Sequence, residues 1–309
     1  MKRLLFIAVV LAGCKPDLGS PTSLVTGLRI LGVKTEPPEV SPGMEVKTDL
    51  LAVDPSGRMA AQAMWSLCLA HKPPAENNVV ANDCGQQNKQ LEPLMESGPR
   101  VIVPIPMNAC ALNGPDAPPT KMGEPPVRAR DADVTGGYYQ PIEVKVGAVR
   151  AFVLERISCN LPNVSVDVVK EFQMRYKPNN NPAFARLLVG GLERPAVVEG
   201  QSPVTVNVRA GQAVAFEAFW SPESRETFAV YDVTRQAVVD RPEELTVSWF
   251  ATGGEFDRDR TGTTEADTVA SITNAWVAPL TPGPVRLWIV LRDNRGGLDF
   301  REYLITVGT

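Results

Sequence analysis

From Leu28 onward the chain repeats one pattern: short runs in which apolar residues fall at every second position. Met44, Val46, Leu50 and Ala52 share one parity, with Glu45, Lys47 and Asp49 on the other; Ala63, Trp65, Leu67 and Leu69 repeat it, then Ile142, Val144 and Val146. Val204, Val206 and Val208 follow, then Val214, Phe216, Ala218 and Trp220, then Leu245, Val247 and Trp249, and last Tyr303, Ile305 and Val307. A period of two places every apolar side chain on one face of an extended strand, and that face needs a second layer to cover it. Turn signals separate the runs: Pro42-Gly43, Asp54-Pro55-Ser56-Gly57, Ala210-Gly211, Gly253-Gly254 and Asn294-Arg295-Gly296-Gly297. Short alternating strands between such turns specify an all-β chain of sandwiches. Phe172, Met174 and Tyr176 alternate with Gln173, Arg175 and Lys177 and read as the last strand of a first domain. The polar, proline-bracketed run Lys177-Pro178-Asn179-Asn180-Asn181-Pro182 marks a boundary. The expectation is two tandem modules, 27–177 and 183–309, each long enough for its own core. The stretch Ser224 to Asp240 is left open to a helix.

Between His71 and Gln140 the alternation dissolves. This stretch holds eleven of the 28 prolines together with Cys84 and Cys110. Only Val101 to Ile105 reads as a strand, and Pro104 and Pro106 confine it to an edge. So long an irregular stretch inside a module is expected to be an insertion, 71–140, held by disulfides.

The first fourteen residues set the address. Lys2 and Arg3 precede an unbroken apolar run, Leu4 to Leu11, and then the small residues Ala12 and Gly13. A positive start, a short apolar centre and a small-residue exit describe a secretory signal. Eight apolar residues fall short of the roughly 20 that a membrane-spanning helix needs. The run Leu11-Ala12-Gly13-Cys14 resembles the lipobox of bacterial lipoproteins. That resemblance implies cleavage after Gly13, lipidation of Cys14, and a membrane partner reached through the lipid. Residues 14–26, with Pro16, Gly19, Ser20, Pro21 and Ser23, then read as a tether; Lys15 to Thr26 reach about 40 Å when fully extended. The expected location is a bacterial cell envelope, at the outer membrane on its periplasmic or surface face.

Composition narrows the partners. The net charge of −4 becomes −6 once Lys2 and Arg3 are removed, and a mildly acidic mixed surface argues against nucleic acid. No polybasic segment is present to hold an anionic bilayer. With Cys14 lipidated, four of the five cysteines remain: Cys68, Cys84, Cys110 and Cys159. An oxidising compartment lets them form two disulfides, with three connectivities open. Cys68–Cys84 with Cys110–Cys159 is preferred because the first pair closes the shortest loop. No CxxC occurs and His71 is the single histidine, which speaks against a metal site, and no cofactor is expected.

The second module resembles the bacterial immunoglobulin-like and PKD-like modules of exported proteins. Leu245-Thr246-Val247-Ser248-Trp249, Gly253-Gly254-Glu255-Phe256, Trp276-Val277-Ala278-Pro279, Pro282-Gly283 and the strand Val285 to Leu291 carry the resemblance, with Asp293 to Gly297 ending it. The first module shows a fainter version: Pro42-Gly43 stands where Ala210-Gly211 stands, and Trp65 where Trp249 does. The resemblance implies tandem immunoglobulin-like sandwiches and says little of function.

Catalytic chemistry finds no motif. There is no G-x-S-x-G elbow, and His71 lies in a proline-rich loop without an identifiable partner, so a hydrolase site in the insertion ranks last. Asp131 with Asp133, and Asp257 with Asp259, are acid pairs of the kind that bind calcium, but neither sits in a metal-loop motif and both read as solvated turn acids. Trp288 falls on the polar parity of its strand with Arg286 and Arg292, so it reads as outward-facing, and Tyr138-Tyr139 closes the insertion. These three aromatics are the candidate contacts for a partner protein or a glycan. The expected function is non-catalytic: adhesion, scaffolding or assembly, with glycan or ligand binding as the alternative.

Overall fold

The computed structural model describes residues 21–59, 62–73, 76, 79–115, 134–198, 201 and 204–309. Met1 to Gly13, Cys14, Asp131 and Asp133 lie outside the described residues. The described chain is all-β and forms tandem sandwiches, as the alternation requires. In the first module one sheet pairs Arg29–Glu36 with Glu45–Asp54, whose far edge takes Gly57–Arg58 and Ile102–Pro104. The other sheet runs Glu39–Val40, Val149–Ser158, Gly137–Val146, Ala63–Cys68, Leu91–Ser97. Val46, Leu50, Ala52, Trp65, Ile142 and Val144 fill the space between them. In the second module Thr205–Arg209, Leu298–Gly308, Gly283–Asp293, Leu245–Ala251 and Arg260–Gly262 form one sheet. Leu192–Arg194, Phe184–Val189, Ala213–Trp220, Ser271–Val277 and Glu255–Phe256 form its partner. Phe216, Trp249, Phe256 and Trp276 pack at the centre with ring centroids 5.8–6.4 Å apart.

The two sandwiches are stacked face to face. Leu31, Leu51 and Val53 from the first module meet Trp288, Val290 and Leu298 from the second in a separate apolar cluster. The sequence signature of this seam is a pair of unbroken apolar runs. Leu50 to Val53 are each 1% exposed or less, and Trp288 to Leu291 are all 0% exposed. A strand covered on both faces has no water-facing parity, so alternation gives way to a continuous run. This corrects the outward reading of Trp288. The parity it occupies is polar at Arg286 and Arg292, but between them it faces the neighbouring module.

Three other expectations change. Val166–Arg175 is a helix, not a strand: Ser165 caps it by accepting from the Val168 amide at 3.3 Å, and Glu171 pairs with Arg175 one turn on at 2.7 Å. Val168, Phe172 and Tyr176 are four residues apart and share one helical face. That face meets Ala229 and Val238, while Met174 is exposed. The stretch left open to a helix is a short 3-10 turn, Pro222–Ser224, followed by a β-hairpin, Thr227–Asp232 with Ala237–Pro242. Leu91–Ser97 adds an unexpected edge strand; only Leu91 and Leu94 pack inward, three residues apart and so on opposite parities, and no alternation announced it.

The last residues of the expected tether are docked. Ala251 donates its amide to the Ser23 carbonyl at 2.9 Å and the Val25 amide donates to Ala251 at 2.8 Å. Val25 is buried, and the Arg29 guanidinium donates to the Thr22 carbonyl at 2.6 Å. The asparagine run between the modules is likewise fastened. The Asn181 amide donates to the Thr35 carbonyl at 2.6 Å and its oxygen accepts from Leu298 at 2.8 Å, so it bridges both modules.

Candidate binding pocket and the ionic joint

Two disulfides shape the first candidate site. Cys68 is bonded to Cys84 and Cys110 to Cys159, the preferred connectivity. Each fastens one wall of a cavity of about 330 Å³ lined by His71, Lys72, Asn113, Tyr138, Tyr139 and Leu154, among others. The Cys68 carbonyl accepts from the Gln140 side chain, whose oxygen in turn accepts from the Tyr138 hydroxyl at 2.9 Å. Cys110 lies in the short helix Ala109–Asn113, so its bond to Cys159 holds Asn113 against the strand that carries the tyrosines. That strand begins where Gly136 turns the chain at φ +74° and where a side chain on Gly137 would collide with the Ile157 carbonyl.

Burial pushes the Tyr138 hydroxyl well above its usual range, opposed by the adjoining Asn113 amide. Burial also raises Tyr139, opposed by the Arg156 guanidinium, which sits 5.1 Å from the ring centroid. Tyr139 is nonetheless 39% exposed. Asn113 is 8% exposed, and its side-chain oxygen has no hydrogen-bond partner among the described residues. The structure therefore brings Tyr138, Tyr139 and His71 to one place and removes Trp288 from it. Lys72 and Asn113 were missed, because the irregular stretch gives no periodicity from which to place a side chain. Deleting one staple, as Cys68→Ala/Cys84→Ala, is expected to lower stability by about 3 kcal/mol on the chain-entropy estimate for so short a loop. Urea unfolding checks this, and an unchanged midpoint contradicts it.

The second constellation is buried between the modules. Arg295, in the turn marked by Asn294-Arg295-Gly296-Gly297, has its side chain 5% exposed and donates to Glu39 at 2.8 Å, Glu243 at 3.2 Å and the Lys177 carbonyl at 2.8 Å. Its guanidinium lies 4.8 Å from the Phe228 ring. Glu39 also accepts from Ser158 at 2.7 Å, from the Asn179 amide at 2.8 Å, and from the Tyr176 hydroxyl. One carboxylate thus joins the first module, the linker and the second module. Asp293 accepts from the Arg295 and Gly297 amides, both at 2.8 Å. Burial, reinforced by the charge of Asp293, pushes Glu243 up to about 7. Burial raises Glu155 to about 8, with the Thr35 side chain opposing and the Glu39 charge adding to it.

The remaining acids do not converge. Asp259 accepts from the Thr22 amide at 3.1 Å and from its hydroxyl. Burial alone would raise Asp259, but hydrogen bonds from Ser23 and Thr22 hold it low. Asp257 stays exposed beside Arg258. Among the described residues no group of three metal-ligating side chains forms. A larger cavity of about 580 Å³ opens at the seam beside Arg58, Arg100, Arg286 and Arg301. A carboxylate already holds each of these guanidiniums: Asp49 holds Arg58 and Arg100, Glu302 holds Arg286, and Asp299 holds Arg301.

No model of a known protein family matches the chain, and no curated protein does. Among solved structures it is similar to the adhesin InvE of Yersinia pseudotuberculosis, at 8% identity and a TM-score of 0.25, over 94% of this chain and 62% of that one. It is also similar to invasin, a bacterial integrin-binding protein, at 9% identity and a TM-score of 0.21, over 91% of this chain and 39% of that one. The chain spans less than two thirds of the length of either. The tandem-sandwich architecture follows from the sheets and the two cores of the chain itself.

Proposed function

We propose that the chain is a lipid-anchored protein of a bacterial cell envelope whose paired sandwiches serve adhesion, scaffolding or assembly rather than catalysis. The observation that carries this reading is the buried seam, which makes one body of two modules and leaves their outer faces as presenting surfaces. The signal-like start supports the address, and two disulfides fit a chain that folds outside a reducing compartment. The docking of Ser23 and Val25 onto Ala251 brings the tether in at the second module. The span from Lys15 to Ser20 then reaches at most about 20 Å, so the body is held close to the bilayer. Mass spectrometry of the native protein is expected to find a mature chain that begins at acylated Cys14. Cys14→Ser is expected to release the body from the membrane fraction. An unmodified Met1, or a mature chain that starts elsewhere, overturns the anchor.

Partner capture has to use the intact protein. Cutting between residues 178 and 182 strips the cover from Leu31, Leu51 and Val53, so a lone first module exposes an apolar face. Cross-linking in intact cells is expected to join the full chain to another envelope component. A second reading, ligand binding by the first module, is favoured by one observation: the cavity that collects Tyr138, Tyr139 and His71 between the two disulfides.

A further inference from the structure

We propose that three arginines gathered at one edge of the seam, Arg29, Arg260 and Arg292, form a contact site for the anionic headgroups of a lipid bilayer. They lie far apart in sequence, and the stacking of the two modules collects them. Ser248 and Phe250 stand two residues apart on the strand Leu245–Ala251, about 7 Å along it, and share one face. Arg29, from the first module, places its guanidinium 5.3 Å from the centroid of the Phe250 ring. Arg292, on the neighbouring strand, donates from Nη1 to the Ser248 hydroxyl at 3.3 Å and from Nη2 to the Leu31 carbonyl at 2.5 Å. Arg260 is paired with Ser248 on the strand's other side, and residues paired across strands share a face. The three guanidiniums therefore border one strip made of Ser248 and Phe250.

The bonds they make are to neutral groups. Arg29 donates to the Thr22 and Leu24 carbonyls at 2.6 and 3.2 Å, and none of the three forms an ion pair with a described residue. The acids nearest Arg260 in sequence are engaged elsewhere: Asp259 accepts from the Thr22 amide at 3.1 Å, and Asp257 lies beside Arg258. Burial, with the charge of Arg260 adding to it, pulls Arg292 down to about 10. Like charges held together in this way favour a partner that brings the opposite charge, and arginine is well matched to phosphate oxygens. Arg260 is exposed and Arg29 and Arg292 are half-buried, so each has surface to offer. The tether names the partner. Thr22 holds Arg29 through its carbonyl and Asp259 through its amide and hydroxyl, so the tether enters at this edge. The inference rests on the anchor reading: with Lys15 to Ser20 reaching at most about 20 Å, the edge lies within reach of the headgroups.

The test is vesicle co-sedimentation of the full chain as Cys14→Ser, which carries no lipid of its own. Near an anionic leaflet each arginine adds about fivefold to partitioning, so vesicles containing phosphatidylglycerol are expected to bind on the order of a hundredfold more tightly than phosphatidylcholine alone. Raising salt from about 0.1 M to about 1 M shortens the screening length from about 10 Å to about 3 Å and is expected to erase the preference. Arg260→Gln is expected to lower binding to phosphatidylglycerol vesicles about fivefold, and Arg260→Gln/Arg292→Gln about 25-fold. Arg260 is exposed, so its single variant keeps the fold and decides the matter if the double variant does not fold. Asp17→Asn, which removes the one acid of the tether, is expected to change binding by less than about threefold. A gain of about tenfold or more shows that this acid already answers the arginines and overturns the proposal. Equal binding to both kinds of vesicle, or undiminished binding by Arg260→Gln, also overturns it and leaves the anchor intact. Binding of glycerol 1-phosphate in solution without binding to vesicles overturns the lipid as the partner. An unacylated Cys14 in the native protein overturns the anchor and leaves the contact site standing.

Discussion

Arg295→Met is expected to destabilise the protein by about 3–5 kcal/mol, the range seen when one partner of a buried ionic network is removed. Methionine fills much of the volume but leaves Glu39 and Glu243, both 0% exposed, without the guanidinium that bonds them. Arg156 stands 3.8 Å from Glu39 and cannot replace the lost geometry. The loss falls on the joint and not on either core, since Phe216, Trp249 and Trp276 lie elsewhere. Urea unfolding followed by tryptophan fluorescence measures it. Adding Glu243→Gln to Arg295→Met is expected to recover part of the loss, because the second charge is no longer stranded. A single variant within 1 kcal/mol of wild type, or a double variant no better than the single, contradicts the joint as drawn.

The second large effect is in pH. Glu155 is 0% exposed, and burial raises it to about 8 against a side-chain hydrogen bond from Thr35. The groups that act on it are Thr35 and Glu39, and Glu39 adds like charge. The folded state therefore holds the proton more tightly than the unfolded chain, whose carboxyl titrates near 4.5. As pH rises from that value towards 8 the unfolded chain ionises first, and stability falls by about 1.4 kcal/mol per unit, about 4 kcal/mol in all. Glu155→Gln, which mimics the protonated form, is expected to remove this slope and to be the more stable protein at pH 8. A slope of the same steepness due to Glu243 remains, but it ends near pH 7, the value to which that carboxyl is raised. Unfolding at pH 5, 6.5 and 8 distinguishes the two chains; parallel curves contradict the assignment.

Both effects arise where the sequence was least legible. The cores were open to reading because alternation at Val46, Leu50 and Ala52, or at Leu245, Val247 and Trp249, is a local property of the strand. The helix Val166–Arg175 was misread because Phe172, Met174 and Tyr176 satisfy a period of two as well as, through Phe172 and Tyr176, a spacing of four. The capping position of Ser165 was the missed signal. Trp288 was misread for a different reason. Which parity faces water depends on what lies outside the module, and nothing in a single strand states that. The apolar pairs Leu51 with Val53 and Trp288 with Val290, each on the parity left over from its own core, were the evidence available. Arg295 and Asn179 sit in stretches rich in glycine and asparagine that ordinarily mark exposed turns, and partners from both modules bury them.

Modules joined end to end lengthen a protein, whereas these two thicken it. Sheets lie about 10 Å apart when packed, so four of them make a block roughly 30 Å deep. On the anchor proposed above, so short a leash would give such a block little reach of its own, and whatever it engages would have to come down to the lipid headgroups to meet it.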